Sequence, residues 1–139
     1  MPARLPRWVW LGAASLALVA GMVNVVGYLG FEHLALSHLT GTASLLGSAV
    51  SGGRWDAAFQ LGTIIAAFVG GAVLSGLVIQ DSALRLGRRY GVALAIEALL
   101  LAAAVPLFEQ GNHLGPVLAA AACGLQNAMT ATYSGPLVR

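Results

Sequence analysis

Glu97 stands in an apolar stretch, flanked by Ala95, Ile96, Ala98 and Leu99. A charged side chain at the centre of a membrane-crossing helix costs about 2.5–3.5 kcal/mol on insertion scales, so its surroundings must offset that cost. Two arrangements do so. Either the carboxyl faces a cavity and couples the passage of a proton or cation, being neutral for part of the cycle, or it stays protonated and hydrogen-bonded to a neighbouring helix. Asn24, Gln126 and Asn127 also place amides in apolar runs, where each satisfies a partner helix or lines a pathway, the first being the commoner use. His38, Thr40, Gly41 and Thr42 form a third group. The imidazole could relay protons or hold a ligand, although a lone histidine is more often simply hydrogen-bonded. Gly41 lets backbone approach closely while the threonine hydroxyls offer acceptors. That suits an ion or small polar ligand in a dehydrated site, and it suits equally a tight turn packed on the preceding helix. Bulky replacement of Gly41 is expected to damage either role.

Other chemistries lack their residues. No Ser-His-Asp order, no pair of embedded aspartates and no His-Glu-x-x-His motif is present, so hydrolysis has no constellation to run it and the chain is not expected to be an enzyme. Cys123 is the single cysteine, which rules out an intrachain disulfide and a cysteine metal cluster. No cofactor is expected. Glu32, His33, Glu109 and His113 fall at the ends of apolar blocks and read as solvated loop residues.

The elements that must position these groups follow from composition. Hydrophobic residues make up 58% and charged residues 9% of the 139-residue chain, against about 25% charged in soluble domains. No water-facing surface can be built from that. The apolar residues come in blocks long enough to cross a bilayer, at about 8–31, 59–79, 90–108 and 116–131. A further block, 34–50, is the most polar at its depth and is either a weak full span or a re-entrant half-helix. Arg4, Arg7, Arg54, Arg85, Arg88, Arg89 and Arg139 sit near block ends, which reads as membrane topology and not as a nucleic-acid surface. With a cytoplasmic N-terminus, a re-entrant 34–50 block leaves Arg4, Arg7, Arg85, Arg88 and Arg89 inside and only Arg54 outside, the better match to the excess of arginine in cytoplasmic loops. Gly62, Ala66 and Gly70 recur at four-residue spacing, with Gly71 and Ser75 as a second pair, so two faces of the 59–79 helix admit a close neighbour. General helix packing accounts for them more simply than a dedicated dimer face.

A short internal repeat links the ends. Gly21-Met22-Val23-Asn24 and Gly124-Leu125-Gln126-Asn127 each close an apolar run preceded by alanine. A Ser-His-x-Thr-Gly-Thr segment begins at Ser37, thirteen residues after Asn24, and the equivalent place after Asn127 falls just past Arg139. If 34–50 is re-entrant, the two copies run in opposite directions, as inverted repeats do in secondary transporters.

The Ala20-Gly21-Met22-Val23-Asn24, Ser37-His38-Leu39-Thr40-Gly41-Thr42 and Gly124-Leu125-Gln126-Asn127-Ala128-Met129 segments, with Tyr133-Ser134-Gly135, together resemble the YoaK family of bacterial inner-membrane proteins, a domain family of unknown function. The resemblance covers nearly the whole chain in order. It departs at two positions, where Asp often stands at Asn24 and Asn at Thr42, which argues against a mechanism needing a carboxylate at Asn24. It implies a bacterial inner-membrane location, and a chain that is truncated before a second Thr-Gly segment.

The expectation is an all-α, polytopic transmembrane helix bundle forming a single membrane domain, with a re-entrant or broken helix and a partial internal repeat. Its expected function is a secondary-transporter-like permease for a small polar solute or ion, or part of one. The alternative is a membrane scaffold whose buried polar groups only fix the packing. Lipid is the obligate partner, a homo-oligomer is compatible, and nucleic acid is not.

Overall fold

A computed structural model describes residues 7–30, 36, 38–79 and 88–134. Five helices and no strand occur among the described residues: α1 (Arg7–Gly30), α2 (Leu39–Ser51), α3 (Trp55–Ile79), α4 (Arg88–Glu109) and α5 (Leu114–Ser134). Arg4, Glu32, His33, Ser37, Arg85 and Arg139 lie outside the described residues. Segments of α1 (Trp10–Gly30), α3 (Trp55–Ile79) and α4 (Arg89–Glu109) are long and apolar enough to cross a membrane.

The helix boundaries have local causes. Between α2 and α3 the chain reverses in three residues, with Gly52 N–H donating to Ser48 O at 3.0 Å and Arg54 N–H to Ala49 O at 2.9 Å. Gly53 makes this possible at φ +67°, a conformation that costs a residue with a Cβ roughly 1–2 kcal/mol. Between α4 and α5, Gly111 plays the same part at φ +64°, and Asn112 Oδ1 accepts from Leu114 N–H at 3.0 Å, capping the first turn of α5. At the opposite end of the bundle, the Arg89 guanidinium reaches the Ile79 carbonyl at 3.5 Å and covers the C-terminus of α3.

Two boundaries differ from the hydrophobic blocks. The 34–50 block becomes a helix only at Leu39, because Leu36 lies in a turn and His38 is non-helical at φ −113°, ψ 88°. Its 13 residues make a rod of about 20 Å, short of a ~30 Å hydrocarbon core. The 59–79 block begins earlier, at Trp55, because Asp56 suits the positive end of a helix in its first turn.

The centre of the bundle is α5. Ala119, Ala120, Ala122, Cys123 and Leu125 are all buried, packed between α3 and α4. Gly124 is where α3 comes closest: a Cβ there would overlap the Phe68 carbonyl, and a Cβ on Gly71 would overlap the carbonyl of Ala121. The two helices therefore touch backbone to backbone. One core cluster joins Ala58, Leu61, Ile64 and Phe68 of α3 to Ala119, Ala120 and Cys123 of α5 and Ala104 of α4. A second joins Ile79 of α3, Tyr90 and Ala93 of α4, and Leu125 and Met129 of α5. Residue numbers rise together in α3 and α5 and fall in α4, so α3 and α5 are parallel and α4 is antiparallel to both. α1 is antiparallel to α5, since Leu16 contacts Gln126 while Val23 packs on the first cluster. Most of α1, including Leu11, Leu18, Met22 and Leu29, faces outward, as lipid-facing side chains do.

Candidate functional site

Buried polar side chains come from four helices, with Thr42 on α2 and three others on α3, α4 and α5. Glu97 of α4 is 4% exposed, Ser75 of α3 is fully buried, and Gln126 of α5 is 8% exposed. Glu97 shares a helix face with Ala93 and Ala104, both buried, because 93, 97 and 104 follow the helical period. Glu97 Oε2 and Ser75 Oγ have no hydrogen-bond partner among the described residues. A buried polar atom without a partner costs about 1–3 kcal/mol, more when charged, and such orphans are rare outside sites that work.

Gln126 is partnered. Its Nε2 donates to the Leu16 carbonyl of α1 at 3.0 Å, a bond between helices 110 residues apart in sequence. This is the interhelical amide use. Asn127, the next residue, faces outward, and Asn24 is half-buried on α1. The two repeat asparagines do not meet: Asn24 is eight residues beyond Leu16, about 12 Å along the α1 axis.

The Thr-Gly segment forms the start of α2. Thr42 is 1% exposed, whereas His38, Thr40 and Gly41 face outward. His38 stands at the N-cap without a side-chain cap bond, and Gly41 N–H donates to its carbonyl at 3.2 Å. Among the described residues, a Cβ on Gly41 would meet nothing within 4 Å. Because α2 folds back along α3 from the Gly52-Gly53 turn, its N-terminus lies about 20 Å down the bundle from that turn, near half the length of α3. Leu39 packs there on the core cluster that contains Phe68.

The small-residue faces of α3 divide. Gly71 faces α5 and Ser75 is buried in the bundle, while Ala66 and Gly70 face outward. A Cβ on Gly62 or Gly70 would meet nothing within 4 Å. Among the described residues nothing packs closely on Gly62 or Gly70, because α5 occupies the side rotated toward Gly71. Gly124 completes the crossing and was not singled out for packing by its sequence, though Ala120, Gly124 and Ala128 carry the four-residue spacing that marks one.

A cleft of about 520 Å³ opens at the end where α3 and α5 begin. Arg54, Gln60 and Thr63 line it from the α3 side and His113 from the α4–α5 turn, with Leu45 and Val117 among its apolar walls. Glu97 does not line it. Among the described residues no group of three or more His, Cys, Asp or Glu could hold a metal ion.

Comparison with known proteins agrees with this architecture. The family model described as "Protein of unknown function (DUF1275)" matches residues 12–139. The chain is 32% identical over 87 residues to the UPF0700 transmembrane protein YoaK of Bacillus subtilis (strain 168), a match covering 62% of this chain and 39% of that protein. The matched part thus spans well under half of the relative's length. No solved structure matches the chain. It is a membrane protein of helical architecture, and it belongs to the DUF1275 family of proteins of unknown function.

Proposed function

We propose that the chain is a secondary-transporter-like permease for a small solute or ion, or part of one, with Glu97 as its coupling group. The observation that carries this is the Glu97 carboxyl, enclosed by α3, α4 and α5 with one oxygen unpartnered. An intramembrane ionisable residue of this kind marks an ion or proton path more often than a packing role.

Two further features support the reading. A half-length α2 ending midway along α3 resembles the broken helices that bring backbone polar groups to the midplane of transporters, as a re-entrant segment would. The Gly-x-x-Asn copies on α1 and α5 run in opposite senses, which is the relation of an inverted repeat. The arginine distribution supports a cytoplasmic N-terminus in a bacterial inner membrane, and the open Gly62-Ala66-Gly70 face is compatible with a homo-oligomer.

One observation favours the scaffold reading instead: the cleft stops short of Glu97, whose surroundings in this conformation are packed. The two readings part in proteoliposomes loaded with a pH-sensitive dye and exposed to a panel of small solutes. A permease gives a solute-evoked change in lumenal pH that Glu97→Gln removes while helix content is retained. No response to any solute, or a response indifferent to Glu97→Gln, would sink the coupling role.

A further inference from the structure

We propose that the cleft at the beginning of α3 and α5 is a binding site for a small organic anion with an apolar body. The volume, about 520 Å³, falls within the usual ~300–1,000 Å³ of ligand sites. The polar groups and the apolar groups of its wall make different demands on an occupant, and both are specific.

Arg54 is the only formally charged side chain among the described residues that line the cleft. Among the described residues, Asp56 and Glu109 are the carboxylates at this end, and both lie off the lining. The Arg54 side chain lies over Gly52, its Nε 3.7 Å from where a Cβ on that glycine would stand. Two helices begin here in parallel, and each directs the positive end of its dipole toward the cleft. Gln60 adds an amide donor and His113 an imidazole from the facing turn. The C-terminus of α1 also reaches the wall at Gly30 and opposes these dipoles, so the sign of the site is set by Arg54, whose guanidinium is suited to grip a carboxylate or similar oxyanion by two parallel bonds.

The remaining wall is apolar, with Leu45 of α2, Phe59 and Ile64 of α3, and Leu114 and Val117 of α5. A bare inorganic anion would leave that surface against water or an empty space. An aliphatic or aromatic carboxylate fills both halves at once, its head at Arg54 and its body against these side chains. The binding inference stands without the permease reading and extends it, since a solute held at one end of the bundle is the class such a permease would carry.

The test is binding of hexanoate to the full chain in zwitterionic-lipid nanodiscs, with hexanol and hexylammonium as probes of the same body and different charge, and empty nanodiscs subtracted. Hexanoate is expected to bind at least tenfold more tightly than hexanol, and hexylammonium not detectably. Arg54→Gln should remove the preference for the anion, Arg54→Lys should keep most of it, and Val117→Trp, which fills the apolar wall, should abolish binding of every probe. Equal affinity for hexanoate and hexanol, or an anion preference unchanged in Arg54→Gln, overturns the inference. A tenfold preference for phosphatidylglycerol over phosphatidylcholine that competes hexanoate away would also overturn it, because the site would then belong to a lipid headgroup. Binding without flux leaves the site standing and refutes the permease, whereas flux indifferent to Arg54 does the reverse.

Discussion

Replacing Gly124 by alanine adds one methyl group at the place where α3 and α5 touch through their backbones. The new Cβ would overlap the Phe68 carbonyl, and a backbone carbonyl cannot rotate aside as a side chain does. The helices must separate by on the order of 1 Å, which forfeits roughly a quarter to a half of the dispersion energy of each atom pair across the contact. Overpacking in a close core costs about 1–3 kcal/mol, and the upper end applies because no side chain here can repack. In a bilayer the loss weighs more, since packing and hydrogen bonds, not exclusion of water, hold helices together. Gly71→Ala strikes the same contact from the other helix, against Ala121. Once one alanine has opened the crossing the second costs little, so the double variant should be less stable than either single one by much less than the sum. Gly70→Ala is the control: its Cβ enters open space on the outward face, and it should be neutral or up to about 1 kcal/mol stabilising, from helix propensity. Unfolding in mixed micelles, followed by circular dichroism, reads all four. Equal stability of Gly124→Ala and the unmodified chain, or a Gly70→Ala loss as large as that of Gly71→Ala, would refute the reasoning.

Three other outcomes follow from the geometry. Gln126→Leu removes the bond to the Leu16 carbonyl and should cost about 0.6 and at most ~1.7 kcal/mol, seen as faster proteolytic release of α1 with α3 to α5 intact. Gly53→Ala should destabilise by roughly 1–2 kcal/mol because φ is +67°, whereas Gly47→Ala, in open space within α2, should not lower the unfolding midpoint. Gly41→Ala should leave the fold unharmed, since its Cβ meets nothing; if the α2 start lines the path, the same change should slow solute-evoked flux about tenfold, equivalent to ~1.4 kcal/mol in the barrier.

The membrane class and the helices were legible because apolar block length is a strong signal, and the ends of α1 and α4 agree with it to within two residues. The start of α2 was not, because Leu34-Ala35-Leu36 continues the apolar run and nothing in hydropathy marks where the backbone turns. Glu97 was legible as a lone carboxyl in a span. Its enclosure was not, since burial depends on which helix faces meet. Ser75 read as a small packing residue, and only the fold makes it a buried hydroxyl without a partner. The α3 face was ambiguous for a physical reason: Gly70 and Gly71 are adjacent and point about 100° apart on a helix of 3.6 residues per turn, so spacing alone could not choose between them. The cleft was invisible to sequence, since Arg54 and His113 reach it from different turns and both read as block-end residues.

Whether water reaches the interior of the bundle can be measured directly, because the chain's single cysteine, Cys123, is buried on the central helix α5. The reagent is a charged, membrane-impermeant thiol probe applied to the folded protein in sealed proteoliposomes, with and without a transported solute. If the bundle opens to water as it works, Cys123 is modified in the folded protein and the rate changes several-fold with solute. If Cys123 is modified only after the helices have been denatured, the interior stays closed, Glu97 serves packing alone, and the permease is contradicted.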